Sequence, residues 1–80
     1  MRQKRPTLFF SFPTTAAAMA AESICRGNEV PGRLVPVPRE ITAGCGLAWM
    51  SDPEHKDLIL SFFKAQKLEY EGCYLLEFLR

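Results

Sequence analysis

The chain has 80 residues, of which 48% are hydrophobic and 24% charged, and its formal net charge is +1. That balance excludes a disordered segment and allows one core, in a chain short enough to bury only about 60–65% of its unfolded surface. It also excludes a general attraction to nucleic acid or to acidic membrane, and no run approaches the roughly 18 apolar residues of a membrane span.

Residues 1–6 read as a flexible basic leader, and residues 7–80 as a single domain with no repeat and no linker. Leu8, Phe9 and Phe10 behind a basic start imitate a secretion signal, with Ala18-Met19-Ala20 resembling a cleavage site. Phe12-Pro13-Thr14-Thr15 breaks the apolar run too early for that reading.

Residues 7–12 alternate as a strand, with Leu8, Phe10 and Phe12 on one face and Phe9 on the other. Pro13-Thr14-Thr15 supplies a stop and a helix cap. Residues 16–26 then form an alanine-rich helix whose inward stripe is Ala17, Ala20, Ala21 and Ile24, ended by Gly27-Asn28.

Residues 33–38 read as a second strand that carries Pro36 and Pro38. Prolines two apart lose their N–H groups on one side of the strand, so this must be an edge. A glycine-containing loop over residues 39–46 leads to a third strand over residues 47–50.

Ser51-Asp52-Pro53-Glu54 is a strong helix start, with Ser51 or Asp52 as cap and glutamate at the capping-box position. Leu58, Ile59, Phe62, Phe63 and Ala65 make the stripe of that second helix. A last strand covers residues 70–78, with Tyr74, Leu76 and Phe78 on one face.

Strand, helix, strand, strand, helix, strand predicts an α+β fold. The expected form is a ferredoxin-like βαββαβ sandwich: an antiparallel four-stranded sheet with both helices on one face. In it the third strand lies beside the first, and the second and fourth form the edges. The prolines place the second strand at an edge independently.

The three cysteines, Cys25, Cys45 and Cys73, are odd in number and widely spaced, unlike a disulfide framework. With His55 as the only histidine they do not make a zinc set. They read as reduced thiols in a cytoplasm, with no metal and no cofactor expected. Cys25 is expected to be packed late in the first helix, Cys73 to fill space in the last strand, and His55 to be a solvated surface residue.

Cys45 differs because it stands between Gly44 and Gly46. The topology brings the start of the first helix, Thr14 and Thr15, to the same end as the loop carrying Arg39 and Cys45. Helix-start N–H groups and an inward Arg39 both favour a thiolate or another anion. The two glycines would let a second protein's sulfur approach without meeting side chains. The plainer reading is a tight turn in which Cys45 fills a small hole.

Pro13-Thr14-Thr15-Ala16-Ala17-Ala18, then Pro36-Val37-Pro38-Arg39-Glu40-Ile41, then Ala43-Gly44-Cys45-Gly46-Leu47-Ala48 resemble the selenium/sulfur carrier-like family of small bacterial proteins. The resemblance covers roughly residues 7–78. That family also occurs as the tail domain of TusA-like sulfur-relay proteins. The resemblance implies a cysteine role for Cys45, an arginine role for Arg39 and a helix-start role for Pro13, Thr14 and Thr15. Cys25 and Cys73 match no motif of the family, and the relay domain's own cysteine–proline motif is missing from this chain.

Two functions follow as expectations. In the first, the protein is not an enzyme but a sulfur or selenium carrier. Cys45 would hold a persulfide or perselenide stabilised by the helix start and Arg39, loaded by a cysteine desulfurase or by a sulfur-relay or selenium-metabolism protein. In the second, the same groups with Gly44 and Gly46 form a small-anion-binding or protein-docking regulatory module with no thiol chemistry. Phe9, with Trp49 or Met50, would leave an apolar patch on the open sheet face that seals a homodimer or docks a partner. RNA binding is disfavoured because the basic aromatic motif is missing. A heavy-metal chaperone would need paired cysteines where Pro13-Thr14-Thr15 stands.

Overall fold

Aromatic alternation in the first strand sets the layers of the molecule. The computed structural model describes residues 3–41 and 44–79. In chain order it contains β1 (Lys4–Ser11), α1 (Thr15–Gly27), β2 (Arg33–Pro36), β3 (Leu47–Ser51), a 3₁₀ turn (Pro53–His55), α2 (Lys56–Ala65) and β4 (Gly72–Leu79). The sheet order is β2-β3-β1-β4 with every neighbouring pair antiparallel. This is the expected α+β arrangement with a ferredoxin-like strand order.

Both helices lie on one face because the apolar residues of β1 divide by parity. Leu8, Phe10 and Phe12 join Trp49 of β3 beneath Ala18, Ala21 and Cys25 of α1 and Ile59 and Phe63 of α2. Phe10 and Phe63 meet at 5.1 Å between ring centroids, and Tyr70 closes against both at 5.6 Å. Such aromatic contacts hold α2 and the link into β4 on the sheet.

β2 is an edge strand, as its prolines require, but it ends at Pro36 rather than Pro38. Its pairing runs from Arg33 opposite Met50 to Pro36 opposite Leu47. Beyond it the Val37 N–H donates to the Gly46 carbonyl at 3.0 Å and closes the loop. Gly32 is demanded at the entry to β2. Its φ is +128°, and a Cβ there would run into the Met50 carbonyl and the Trp49 indole.

Helix details depart from the expected stripes. The buried line of α1 is Ala18, Ala21 and Cys25, one step round from the predicted one, and Ala20 is exposed. In α2, Ile59 and Phe63 are buried while Leu58 is half exposed and Ala65 is exposed. The expected capping box does not form. Ser51 belongs to β3, Asp52 makes no side-chain cap hydrogen bond, and Pro53 opens a 3₁₀ turn instead. β4 begins two residues later than predicted, after Tyr70 has been taken up by the aromatic cluster.

The opposite sheet face is not the open patch predicted around Phe9. Phe9 is completely buried there with Ala48 and Met50, beneath Ile41 from the β2–β3 loop. Trp49 turns to the helix side, where its indole N–H donates to the Pro31 carbonyl at 3.1 Å. Val35, Val37, Tyr74, Leu76 and Phe78 pack around this second cluster, and the Phe78 ring meets Phe9 edge-on at 5.2 Å. A loop apolar at one position can cover a face that strand periodicity alone leaves bare.

Candidate functional site

The β1–α1 turn and the β2–β3 loop meet at one end of the sheet. β1 ends at Ser11, and Pro13 then stops the strand. Thr14 caps α1: its φ of −141° and ψ of 159° are extended, and its side-chain oxygen accepts the Ala17 N–H at 3.1 Å. The Thr14 carbonyl accepts the Ala18 N–H, also at 3.1 Å. Thr14 and Thr15 are exposed.

The loop arrives from the other side. A turn joins the Pro38 carbonyl to the Ile41 N–H at 3.0 Å and drives Ile41 onto Phe9. Thr42 and Ala43 lie outside the described residues. Gly44 then passes so close to the turn that a Cβ on it would stand 2.7 Å from the Pro13 carbonyl oxygen. Gly46 has φ +74°, a left-handed value, with open space where a Cβ would be. The two glycines therefore serve different ends: Gly44 permits close approach and Gly46 permits the turn into β3.

Cys45 is half-buried between them and packs against the helix-side core. Its S–H donates to the Phe12 carbonyl at 3.3 Å, with the Leu47 carbonyl a second acceptor at 3.7 Å. Both partners are acceptors, so the sulfur sits here as a hydrogen-bond donor. Arg39 is exposed on the loop, and no hydrogen bond among the described residues joins it to Cys45. The structure thus brings Cys45 to Phe12 and Gly44 to Pro13, the residues just before the Thr14 cap, and leaves Arg39 on the outside.

The other thiols are held differently. Cys25 is fully buried in α1, and burial pushes its thiol from 9.0 up to about 11. Cys73 is half-buried in β4; burial raises its thiol too, with Lys56 pulling weakly the other way. In both residues burial is the larger effect, and it favours the protonated thiol.

At the far end of the sheet, Asp52, Glu54 and His55 carry metal-ligand atoms within 4.8 Å of one another. Asp52 and His55 share a cavity of about 350 Å³ with Arg5 and Arg33, whose charges oppose a cation. Sequence reasoning missed two participants at the Cys45 end. The Phe12 carbonyl is backbone and leaves no mark in the sequence. Ile41 did leave one, as the apolar residue of an otherwise polar Pro38-Arg39-Glu40-Ile41 stretch.

Among the described residues no helix is long and apolar enough to cross a membrane. A four-stranded antiparallel sheet carrying two helices, with a half-buried loop cysteine at the first helix start, defines a small α+β domain. The family model described as "Putative Se/S carrier protein-like" matches residues 7–75, and the chain belongs to that family. Neither a curated protein nor a solved structure matches it.

Proposed function

We propose that the protein is a non-enzymatic carrier of sulfur or selenium, with Cys45 as the carrying atom. The observation that supports this is the meeting of Cys45 with the start of α1, seen as Gly44 against Pro13 and the Cys45 sulfur beside Phe12, in a chain of a carrier-like family. Loading is a thiol–persulfide exchange. Deprotonated Cys45 attacks the outer sulfur of a donor persulfide, the donor's sulfur–sulfur bond breaks, and its inner sulfur leaves as a thiolate that takes up the proton. The sum is balanced, with no net oxidation. A cysteine desulfurase or a sulfur-relay or selenium-metabolism protein is the donor.

The resting contacts set a condition on that step. Cys45 must leave two carbonyl acceptors before it can carry an anion, and the first turn of α1 behind Thr14 and Thr15 is the source of donors at the same end of the sheet. Gly46, with open space beside it, is the pivot for that rotation, and Arg39 swings in from the exposed loop to face the terminal atom. Incubation with a cysteine desulfurase and cysteine, followed by peptide mass spectrometry, tests the reading. One added sulfur is expected on Cys45, lost in Cys45→Ser and kept in Cys25→Ser and Cys73→Ser. Loading at Cys73 instead, or none at all on folded protein, would sink it.

The carbonyl partners of the sulfur favour a second reading, in which the helix start and Arg39 hold a small anion and Cys45 is only a wall. Thermal stabilisation by sulfite or phosphate that survives Cys45→Ala would select it.

A further inference from the structure

The two edges of the sheet are built differently. β2 is four residues long, ends in Pro36 and begins with Arg33, which are features that discourage another strand from pairing. β4 runs for eight residues, Gly72–Leu79, without a proline and with Glu77 as its one charge. Its inner side pairs with β1 from Gly72 opposite Ser11 to Leu79 opposite Lys4. Its outer side offers the backbone N–H and C=O groups of every second residue, since the others point inward to β1. Leu75 and Leu79, which share the helix side with Leu8 and Lys4 by register, are 61% and 50% exposed.

We propose that this edge pairs with β4 of a second copy of the chain, in antiparallel register about a two-fold axis at Leu75. An axis at Leu75 sets Leu75 against its own copy, Tyr74 against Leu76, Gly72 against Phe78, and Glu77 against Cys73. Every opposed pair is then apolar or carries a single charge, and aromatic–aliphatic cross-strand pairs of this kind stabilise a sheet. Moving the axis to Glu77 would oppose two carboxylates across the ladder, which is destabilising. Charge alone would also allow an axis at Leu76, but Leu76 already packs against the Phe9 cluster, whereas Leu75 is 61% exposed and is buried against its own copy only by an axis at Leu75. The product is a continuous eight-stranded sheet with all four helices on one side, and the exposed Leu75 side chains meet at its centre.

Sedimentation velocity from low to high micromolar concentration, with Leu75→Lys as the variant, tests this. Leu75 is exposed in the single chain, so the lysine leaves the fold intact and places two like charges across the axis. A second variant, Leu75→Cys in a Cys45→Ser, Cys73→Ser background, reads the register by oxidative cross-linking. The expected result is a concentration-dependent dimer whose dissociation constant Leu75→Lys raises at least tenfold, and that cross-links through position 75. A chain monomeric at every concentration, or a dimer indifferent to Leu75→Lys and not cross-linked there, overturns the proposal.

Discussion

The Cys45 sulfur lies 3.3 Å from the carbonyl oxygen of Phe12, a residue 33 positions earlier in the chain. That one contact ties the β2–β3 loop to the end of β1 and places the thiol beside the start of α1. It also makes the thiol a reporter of the loop, since anything that moves the loop moves the sulfur away from its acceptor.

Gly44→Ala should open this contact. The new Cβ would press on backbone, the Pro13 carbonyl, which has no flexible side chain to move aside. A stability loss of about 1–3 kcal/mol is expected, as for other overpacked sites. Alkylation of Cys45 should also be faster than in the parent. Gly46→Ala meets open space and should cost only the strain of a left-handed backbone, about 1 kcal/mol. Chemical denaturation and timed alkylation with mass spectrometry compare the two.

Ile41→Ala should loosen the loop from the other face of the sheet. Ile41 is almost fully buried against Phe9, so its truncation should cost about 2–4 kcal/mol. If Ile41 anchors the loop that holds Cys45, the same variant should raise the Cys45 alkylation rate while Cys25 stays protected. An unchanged Cys45 rate would separate the two halves of the loop.

Thr14→Ala removes the oxygen that accepts the Ala17 N–H. The expected loss is about 1 kcal/mol, restored in large part by Thr14→Ser. Thermal unfolding of the two variants against the parent measures it.

Alkaline pH should weaken the fold through Cys25. In the folded chain burial holds this thiol protonated up to about 11, whereas in the unfolded chain it ionises near 9.0. The folded state therefore binds the proton more tightly, and this contribution to stability is fully present below pH 9. It is lost as the pH rises through 11, to a limit of about 2–3 kcal/mol. Urea unfolding across that range should show the slope in the parent, and Cys25→Ala should flatten it.

Much of the fold could be read from the residues because local rules and global packing agree. Leu8, Phe10 and Phe12 alternate, so their shared face was visible before any tertiary contact was known. Pro36 cannot donate to a neighbour, so an edge position for β2 followed from its chemistry. That the β2–β3 loop returns to the end where β1 passes into α1 followed from strand order and connection alone, and Gly44 against Pro13 and the Cys45 sulfur at Phe12 show it.

What failed to be legible lay where one segment competes with another. Ser51 looked like a helix cap but was drawn into β3 by pairing with Leu8, and Tyr70 looked like strand but was taken by Phe10 and Phe63. Phe9 looked exposed because strand periodicity says which face a residue takes and nothing about what covers that face.

By itself, then, the sequence determined the order of elements, the two faces of the sheet and the end at which Cys45 sits. Each of these depends on side-chain period, on proline and glycine backbone limits, and on chain connectivity. Only the tertiary structure decided that Ile41 seals Phe9, that Arg39 stays outside, and that the Cys45 sulfur donates to the carbonyls of Phe12 and Leu47. Those outcomes turn on how a ten-residue-scale loop folds back and on which backbone groups are left unpaired there, and every residue carries the same backbone.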